Sequence, residues 1–282
     1  MNINQFCPTC GDTLHYVEYS GRFHNISNGK VNNFNVLSCT ICGLSRTDPP
    51  PYEDDVTAEI YQDFSFNDAY KNPKLWESFF TQMFKYANKY KPNGKVLDIG
   101  CGSGFFINLA RQKGYDTYGV ELNKDAVNYG KNELNLNIVN LDLESANFPS
   151  NFFDVVTCSQ LLEHIAKPND ILLEINRILK KDGILMLEVP NFNGLLVKFW
   201  KDKWSGFQPQ WHIWQFKPKS LEKLLNKNQF EAIHIVCNQN IYTGQPINFY
   251  KRFIRNTIYV LIEAFASIIN RSDKLLIVAK KK

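Results

Sequence analysis

No apolar run in this chain approaches the roughly 18 to 20 residues that span a bilayer, and no charged-then-apolar leader opens it. Those two absences lead to the expectation of a cytoplasmic protein. Internal repeats and low-complexity tracts are also missing, and neither sign of charge dominates. With 32 Lys and Arg against 28 Asp and Glu, the formal +4 does not call for a nucleic-acid partner and leaves small-molecule substrates in front. Cysteine is sparse and odd in number, and seven residues do not make the paired framework of a secreted disulfide scaffold. A 44% hydrophobic content over 282 residues does support one sizeable α/β core with a small appendage.

Four of the seven cysteines form two knuckles, Cys7-Pro8-Thr9-Cys10-Gly11 and Cys39-Thr40-Ile41-Cys42-Gly43. A thiolate pair two residues apart can clasp a tetrahedral Zn²⁺ from a tight turn, and the trailing glycine relieves that turn. Cys7, Cys10, Cys39 and Cys42 are therefore the expected ligands of one structural zinc; reduced thiols or a redox pair are the alternative. The 28 intervening residues exceed the common spacing, but loop closure grows costly only slowly with length. His15 and His24 lie between the knuckles and could replace a ligand. Residues 1–48 are thus expected to form a zinc-ribbon-like module, closed off by the stiff Asp48-Pro49-Pro50-Pro51 boundary. Residues 49–92 read as an aromatic linker, with Tyr61, Phe64, Phe66 and Tyr70, followed by a helix from Pro73 to Tyr90. Its stripe of Trp76, Phe79, Phe80, Met83, Phe84 and Ala87 is expected to be core, with Tyr61 or Tyr70 covering a ligand as the functional alternative.

The chain is organised around Lys95-Val96-Leu97-Asp98-Ile99-Gly100-Cys101-Gly102-Ser103-Gly104, where an apolar strand breaks into three alternate glycines and then a helical pattern. Glycine is needed where backbone turns tightly and a ligand must approach the main chain. A second strand, Tyr115 to Glu121, ends in a carboxylate at the distance where an acidic residue takes a ribose hydroxyl pair. Further strands are expected at 137–143, 153–159 and 183–190, then a short helix from Ser220, a strand at 231–237 and a last strand at 274–279.

This order resembles the class I S-adenosylmethionine (SAM)-dependent methyltransferases, whose motifs are matched by Val96 to Gly104, the Glu121 strand, the Asp142 strand and Leu161-Leu162-Glu163-His164-Ile165. The resemblance covers roughly residues 93–240. It implies a Rossmann-like α/β fold with a seven-stranded, mostly parallel sheet occupying 93–282. It also implies a SAM site made by Asp98 near the methionyl amino group, the loop of Gly100, Cys101, Gly102 and Gly104, Glu121 on the ribose, Leu122 on an adenine face, Asp142 and the Leu143 amide at the adenine edge, and Ser159 and Gln160 at the methionyl end. Similar enzymes carry a Cys-rich N-terminal module and act on small molecules, among them nucleotide- or lipid-linked sugars of polysaccharide or secondary metabolism.

A hydroxyl acceptor must lose a proton, and His212 and His164 are the candidate bases. His212 ranks first, because it sits among Phe199, Trp200, Trp204, Phe207, Trp211 and Trp214, which are either a sugar-stacking surface or a satellite hydrophobic cluster. An insertion at about 241–272 carries Tyr250, Ile254, Ile258, Leu261, Phe265 and Ile268 at helical spacing. That 250–269 helix is expected to pack on its own domain, with a membrane surface or self-association as alternatives. Two rival functions remain. An NAD-dependent Rossmann oxidoreductase would share the glycine turn, though the loop here is G-x-G-x-G and the Tyr-x-x-x-Lys spacing falls ahead of the first strand. The second is a non-catalytic SAM-fold scaffold whose zinc ribbon binds RNA or protein, against which the intact Asp98, Glu121 and Asp142 speak.

Overall fold

The computed structural model describes residues 6–13, 16–24, 31–51, 73–200, 204, 206–237 and 261–282. Tyr61, Tyr70 and the first part of the predicted insertion lie outside the described residues.

In chain order the elements are β1 (Tyr16–His24), β2 (Val31–Ser38), β3 (Ser45–Asp48), α1 (Pro73–Tyr90), β4 (Lys95–Ile99), α2 (Phe105–Gln112), β5 (Asp116–Val120), α3 (Lys124–Asn132) and β6 (Ile138–Val139). They continue with β7 (Phe153–Ser159), a 3₁₀ turn (Leu162–His164), α4 (Pro168–Ile178), β8 (Leu179–Pro190), α5 (Leu195–Trp200), β9 (Trp214–Gln215), α6 (Pro218–Lys227), β10 (Phe230–Cys237), α7 (261–268) and β11 (Lys274–Lys281).

The large sheet runs β10-β11-β8-β7-β4-β5-β6, with β8 to β6 parallel and β11 antiparallel to both its neighbours. Helices cover both faces, so its central strands are buried almost without interruption, and the period of two separates the two cores. Val96, Val155, Ile184 and Met186 point to the α1 and α2 side. Leu97, Ile99, Val156, Cys158, Leu185 and Leu187 point to the α4 and α6 side. The chain leaves β4 first toward β5 and β6 and later returns to β7 on the other flank. A crevice therefore opens at the carboxyl ends of β4 and β7, where open α/β sheets bind ligands.

Two predicted strands shift for identifiable reasons. β6 is two residues long because Asn140 turns out of the sheet, its Nδ2 donating to the carbonyls of Glu121 (2.9 Å) and Leu122 (2.8 Å). α4 stops at Ile178 and β8 begins at Leu179, since Leu179 already pairs with Phe153 ahead of the irregularity that re-registers the strand. The stretch from Lys180 to Gly183 is that irregularity. α1 matches the expected limits; its Met83 and Ala87 are buried, and Trp76 stacks on Phe105 of α2 at 5.7 Å.

A second sheet, β1-β2-β3-β9, joins the N-terminal strands to Trp214–Gln215. The knuckles rest on helices of the large-sheet part of the chain, with Asn169 Nδ2 and Lys227 Nζ donating to the Pro8 carbonyl at 2.9 and 2.6 Å. In α7 the predicted apolar stripe faces outward: Leu261, Phe265 and Ile268 are exposed, while Glu263 and Ala266 are buried. The packing face of the described part of this helix is thus the opposite of the one its periodicity proposes. None of the described helices is long and apolar enough to cross a membrane.

Candidate active site

The glycine loop leaves β4 in left-handed backbone, which L side chains rarely adopt, with Gly102 at φ 53° and Gly104 at φ 82°. A Cβ on Gly104 would lie 2.5 Å from Leu136 Cδ1, so that glycine lets α2 start hard against the core. A Cβ on Gly102 would meet nothing within 4 Å, so this peptide borders open space. Its N–H donates to Glu121 Oε2 at 2.9 Å, and the N–H of Asn123 donates to Glu121 Oε1 at 2.7 Å. Gly100 completes the bend, while the Cys101 thiol is buried and turned against Gly119, leaving its backbone as the part toward the crevice.

The two acidic residues of this edge are buried. Asp98 is 5% exposed and accepts from Thr157 Oγ1 at 2.5 Å; burial pushes its carboxyl up to about 7, against the Thr157 hydrogen bond and with the Glu121 charge adding to the rise. Burial also raises the Glu121 carboxyl, against the backbone N–H groups that bond it. Among the described residues no Lys or Arg pairs with either. Such a pair fits a ligand that brings an ammonium and a vicinal diol. Asp142 is exposed just past the next strand, its Oδ1 accepting from Ser145 N at 2.6 Å as a turn-capping carboxylate does, and its remaining oxygen is not engaged by that bond. Leu122 is 43% exposed at the cleft edge, whereas Leu143 is in the core and has only its backbone to offer. Past β7, Ser159 Oγ lies 3.3 Å from Glu188 Oε1, and Gln160 sits at φ 52° with its Nε2 buried and unpartnered.

The two candidate bases, remote in sequence, meet in space. His164 and His212 stand edge to face, 4.6 Å between ring centroids. His164 Nδ1 lies 3.0 Å from the Trp211 carbonyl and His212 Nδ1 2.9 Å from the Gly206 carbonyl. A carbonyl can only accept, so each Nδ1 carries the hydrogen and each Nε2 a lone pair. Burial pushes His164 down to about 4, and burial with the neighbouring His164 also pushes His212 well down from its ordinary value. Both are neutral at physiological pH and weaker bases than free imidazole. Glu163 completes the group: it is 1% exposed, neither carboxylate oxygen has a hydrogen-bond partner, and burial pushes its carboxyl up to about 8. One ligand atom from each of Glu163, His164 and His212 lies within 4.8 Å of the others. Thr157 and Glu163 were not among the expected site residues. Their signal was polarity at strand or turn positions that burial patterning assigns to the interior.

The tryptophan-rich stretch is mostly interior. Trp204, Phe207, Trp214 and Phe216 are buried, Trp204 Nε1 donating to Asp273 and Trp214 Nε1 to the Ile165 carbonyl, both at 2.9 Å. The cluster alternative holds for these residues, while Phe199 is exposed and Trp200 and Trp211 are partly exposed.

The four knuckle sulfurs converge, with Cys7 Sγ 3.3 Å from Cys42 Sγ, Cys10 Sγ 3.4 Å from Cys39 Sγ, and all four within 4.8 Å of one another. The knuckles are built alike: Gly11 N bonds the Cys7 carbonyl at 2.8 Å and Gly43 N the Cys39 carbonyl at 2.9 Å, with both glycines left-handed. The hydrogen bond between Cys7 and Cys42 holds the Cys7 thiol down to about 5 and pushes the Cys42 thiol up, so the pair shares one proton.

Sheet order, the glycine bend and the acidic strand ends together define the class I SAM-dependent methyltransferase architecture. The methyltransferase domain family matches residues 69–235, more than half of the chain, and the chain belongs to that family. The ubiquinone biosynthesis O-methyltransferase of Coxiella burnetii (strain RSA 493 / Nine Mile phase I) is 30% identical over 103 residues, which are 35% of this chain and 44% of the relative. The mitochondrial ubiquinone biosynthesis O-methyltransferase of Schizosaccharomyces pombe is 30% identical over 117 residues, 39% of this chain and 42% of the relative. The chain thus spans less than half the length of these curated relatives. Among solved structures, a SAM-dependent methyltransferase from Archaeoglobus fulgidus aligns with a TM-score of 0.56 and 25% identity, over 78% of this chain and 100% of that one. The Burkholderia thailandensis 1,6-didemethyltoxoflavin-N1-methyltransferase, with S-adenosylhomocysteine bound, shares the fold at a TM-score of 0.53 and 14% identity, over 88% of this chain and 96% of that one.

Proposed function

We propose that this chain transfers the methyl group of SAM to a hydroxyl of a small-molecule acceptor. The observation that carries the reading is the placement of two buried carboxylates, Asp98 and Glu121, around an open glycine bend on the same sheet edge as the His164–His212 pair. When bound, SAM supplies a sulfonium-activated methyl group. Asp98 receives its ammonium, Glu121 its ribose diol, and Asp142 with the Leu143 amide its adenine edge, while Leu122 packs on the ring. The backbone of Gly100, Cys101, Gly102, Gly104, Ser159 and Gln160 lines the methionyl end. The histidine pair would take the proton of an acceptor hydroxyl held opposite the methyl group. Positioning alone contributes up to about 7 to 11 kcal/mol in favourable cases.

The curated relatives favour oxygen over nitrogen or carbon as the atom methylated. A nucleotide- or lipid-linked sugar remains the finer proposal for the acceptor, with Trp200 and Trp211 as its stacking surface. Cys7, Cys10, Cys39 and Cys42 would hold one structural Zn²⁺, their sulfurs being far outside disulfide distance and near the edge length of a tetrahedral thiolate set, about 3.8 Å. The chain then divides into a zinc module at 1–48, a connector and helix at 49–92 and the catalytic part from 93.

Binding is tested by isothermal titration with S-adenosylhomocysteine (SAH), and turnover by label transfer from methyl-labelled SAM to phenolic and sugar hydroxyls. A folded chain that ignores SAH but takes NADH would overturn the reading in favour of an oxidoreductase. His212→Ala and His164→Ala should each lower turnover more than about tenfold, within the range of proton-transfer catalysis, with SAH affinity kept. Turnover within twofold of wild type in both would remove the pair from the mechanism.

Affinity should depend on pH through Asp98. A carboxyl pushed up to about 7 is half protonated near neutrality, and the methionyl ammonium favours its ionised form. SAH affinity is therefore expected to rise about tenfold per unit as pH approaches 7 from below and to level off above it. The ligand-free chain has the opposite trend: with the folded value above the unfolded one, this group's contribution to stability is lost as pH rises from about 4 through about 7. Asp98→Asn should flatten the binding profile; a wild-type profile already flat from pH 5.5 to 8 would refute the assignment.

A further inference from the structure

We propose that the exposed apolar face of α7, with α5 beside it, docks this protein on an anionic membrane surface, and that the methyl acceptor is presented from that membrane. Leu261, Phe265, Ile268 and Ile269 recur at spacings of three and four along α7 and its first following residue, and all are exposed, Ile268 at 81%. One exposed leucine needs no explanation, but a stripe of four large apolar side chains does. The helix is seated on the protein by its other side. Glu263 and Ala266 are buried, and Ile262 packs on the cluster of Phe34, Phe192 and Trp204 together with Val197 and Trp200 of α5. α5 adds a further exposed ring, Phe199.

Charge selects the occupant. The only acidic residue of α5 and α7, Glu263, is buried, whereas Lys198 is exposed next to Phe199 in the chain. The sequence leading into α7 has no Asp or Glu from Ala232 to Ile262 and carries Lys251, Arg252 and Arg255. A second copy of the chain on this stripe would bring like charges together. An anionic lipid surface answers both features, taking the apolar side chains at the acyl boundary and the basic groups among its headgroups.

The stripe lies on the rim where the crevice opens. α5 follows the carboxyl end of β8, and α7 precedes the start of β11, which is antiparallel to β8 and pairs Lys274 with Pro190. The two connections are bonded to each other, Asn191 N donating to the Asp273 carbonyl at 2.7 Å and Leu195 N to that of Arg271 at 2.9 Å. A membrane met by α7 therefore faces the carboxyl edge of the sheet. This deepens the methyl-transfer reading and rests on it: between the nucleotide-linked and lipid-linked acceptors, it selects the lipid-linked one, whose apolar anchor stays in the bilayer while its hydroxyl reaches the crevice.

The test is co-sedimentation of the full chain with extruded phosphatidylcholine vesicles, with and without about a quarter phosphatidylglycerol. Retention is expected on the anionic vesicles, at least about tenfold weaker on the neutral ones, and falling as salt shortens the reach of the basic groups. The double variant Phe265→Ser with Ile268→Ser changes two exposed side chains outside the SAM and acceptor sites. It should lower the partition coefficient on the order of 100-fold, roughly tenfold or more for each apolar side chain kept out of the bilayer, with SAH affinity unchanged. Leu261→Ser decides the matter if the double variant fails to fold. No retention on anionic vesicles, equal retention on neutral ones, an unchanged partition coefficient in the folded variants, or a dimer in sedimentation velocity that the double variant dissociates would overturn the docking surface. Vesicle binding that the variant loses, in a protein that ignores SAH, would instead sink the methyltransferase reading alone.

Discussion

Glu121→Ala should raise the dissociation constant for SAH on the order of 100-fold. A charged hydrogen bond is worth about 1.5 to 3 kcal/mol, and the assigned role gives this carboxylate two of them to the ribose diol. Losing about 3 kcal/mol corresponds to a little over a hundredfold. The same carboxylate accepts from the N–H groups of Gly102 and Asn123, at 2.9 and 2.7 Å, so it also ties the glycine bend to the start of α3. Each buried N–H left without an acceptor costs about 1 to 3 kcal/mol, and the variant should therefore melt earlier as well. Glu121→Gln separates the two effects: one amide oxygen can keep one backbone bond, while the –NH₂ group faces a donor. Titration calorimetry of SAH into protein shown by thermal melting to be folded checks both. An alanine variant within threefold of wild type would mean that the ribose lies elsewhere.

Cys39→Ser is expected to abolish chelator-resistant zinc and to lower turnover more than tenfold while leaving SAH affinity within threefold. Structural Zn²⁺ contributes apparent free energies of about 10 to 16 kcal/mol in small modules, and a 48-residue segment has little core to replace it. The loss should reach the acceptor side because β3 follows directly on the second knuckle and pairs with β9. Thr47 N donates to the Ile213 carbonyl at 2.9 Å and Thr47 Oγ1 to that of His212 at 2.7 Å, so the segment presenting His212 hangs on the cysteine module. The SAM side draws its residues from β4, β5, β6 and β7, which the knuckles do not touch through hydrogen bonds among the described residues. Metal analysis after chelation, SAH calorimetry and turnover give the three readouts. A zinc-free variant with wild-type turnover would show the module to be independent of the site.

Where the sequence misleads, the cause is that side-chain chemistry was read without its surroundings. The aromatic stretch from Phe199 to Phe216 offered a stacking surface or a hydrophobic cluster with equal force, because composition does not say which face of a ring meets solvent. Packing against Phe34 and Val36 of the N-terminal strands buries Trp204 and Phe207. The stripe of Leu261, Phe265 and Ile268 had the periodicity of a packing face and is exposed, while Glu263 is buried. The histidines were expected as bases, yet burial lowers both and weakens them in that role. Glu163 drew no role from its motif, since its meaning comes from a histidine 49 positions away.

By itself the sequence determined the sheet, the glycine bend, the acidic strand ends and the paired knuckles. Those features rest on local rules: period-two burial, glycine at left-handed backbone, and cysteines spaced for a single turn. Only the tertiary structure decided that His164 and His212 share one cluster with Glu163, and that the cysteine module holds the strand beside His212. Both depend on contacts between segments far apart in the chain, and such contacts follow from how whole faces pack rather than from any residue's neighbours in sequence.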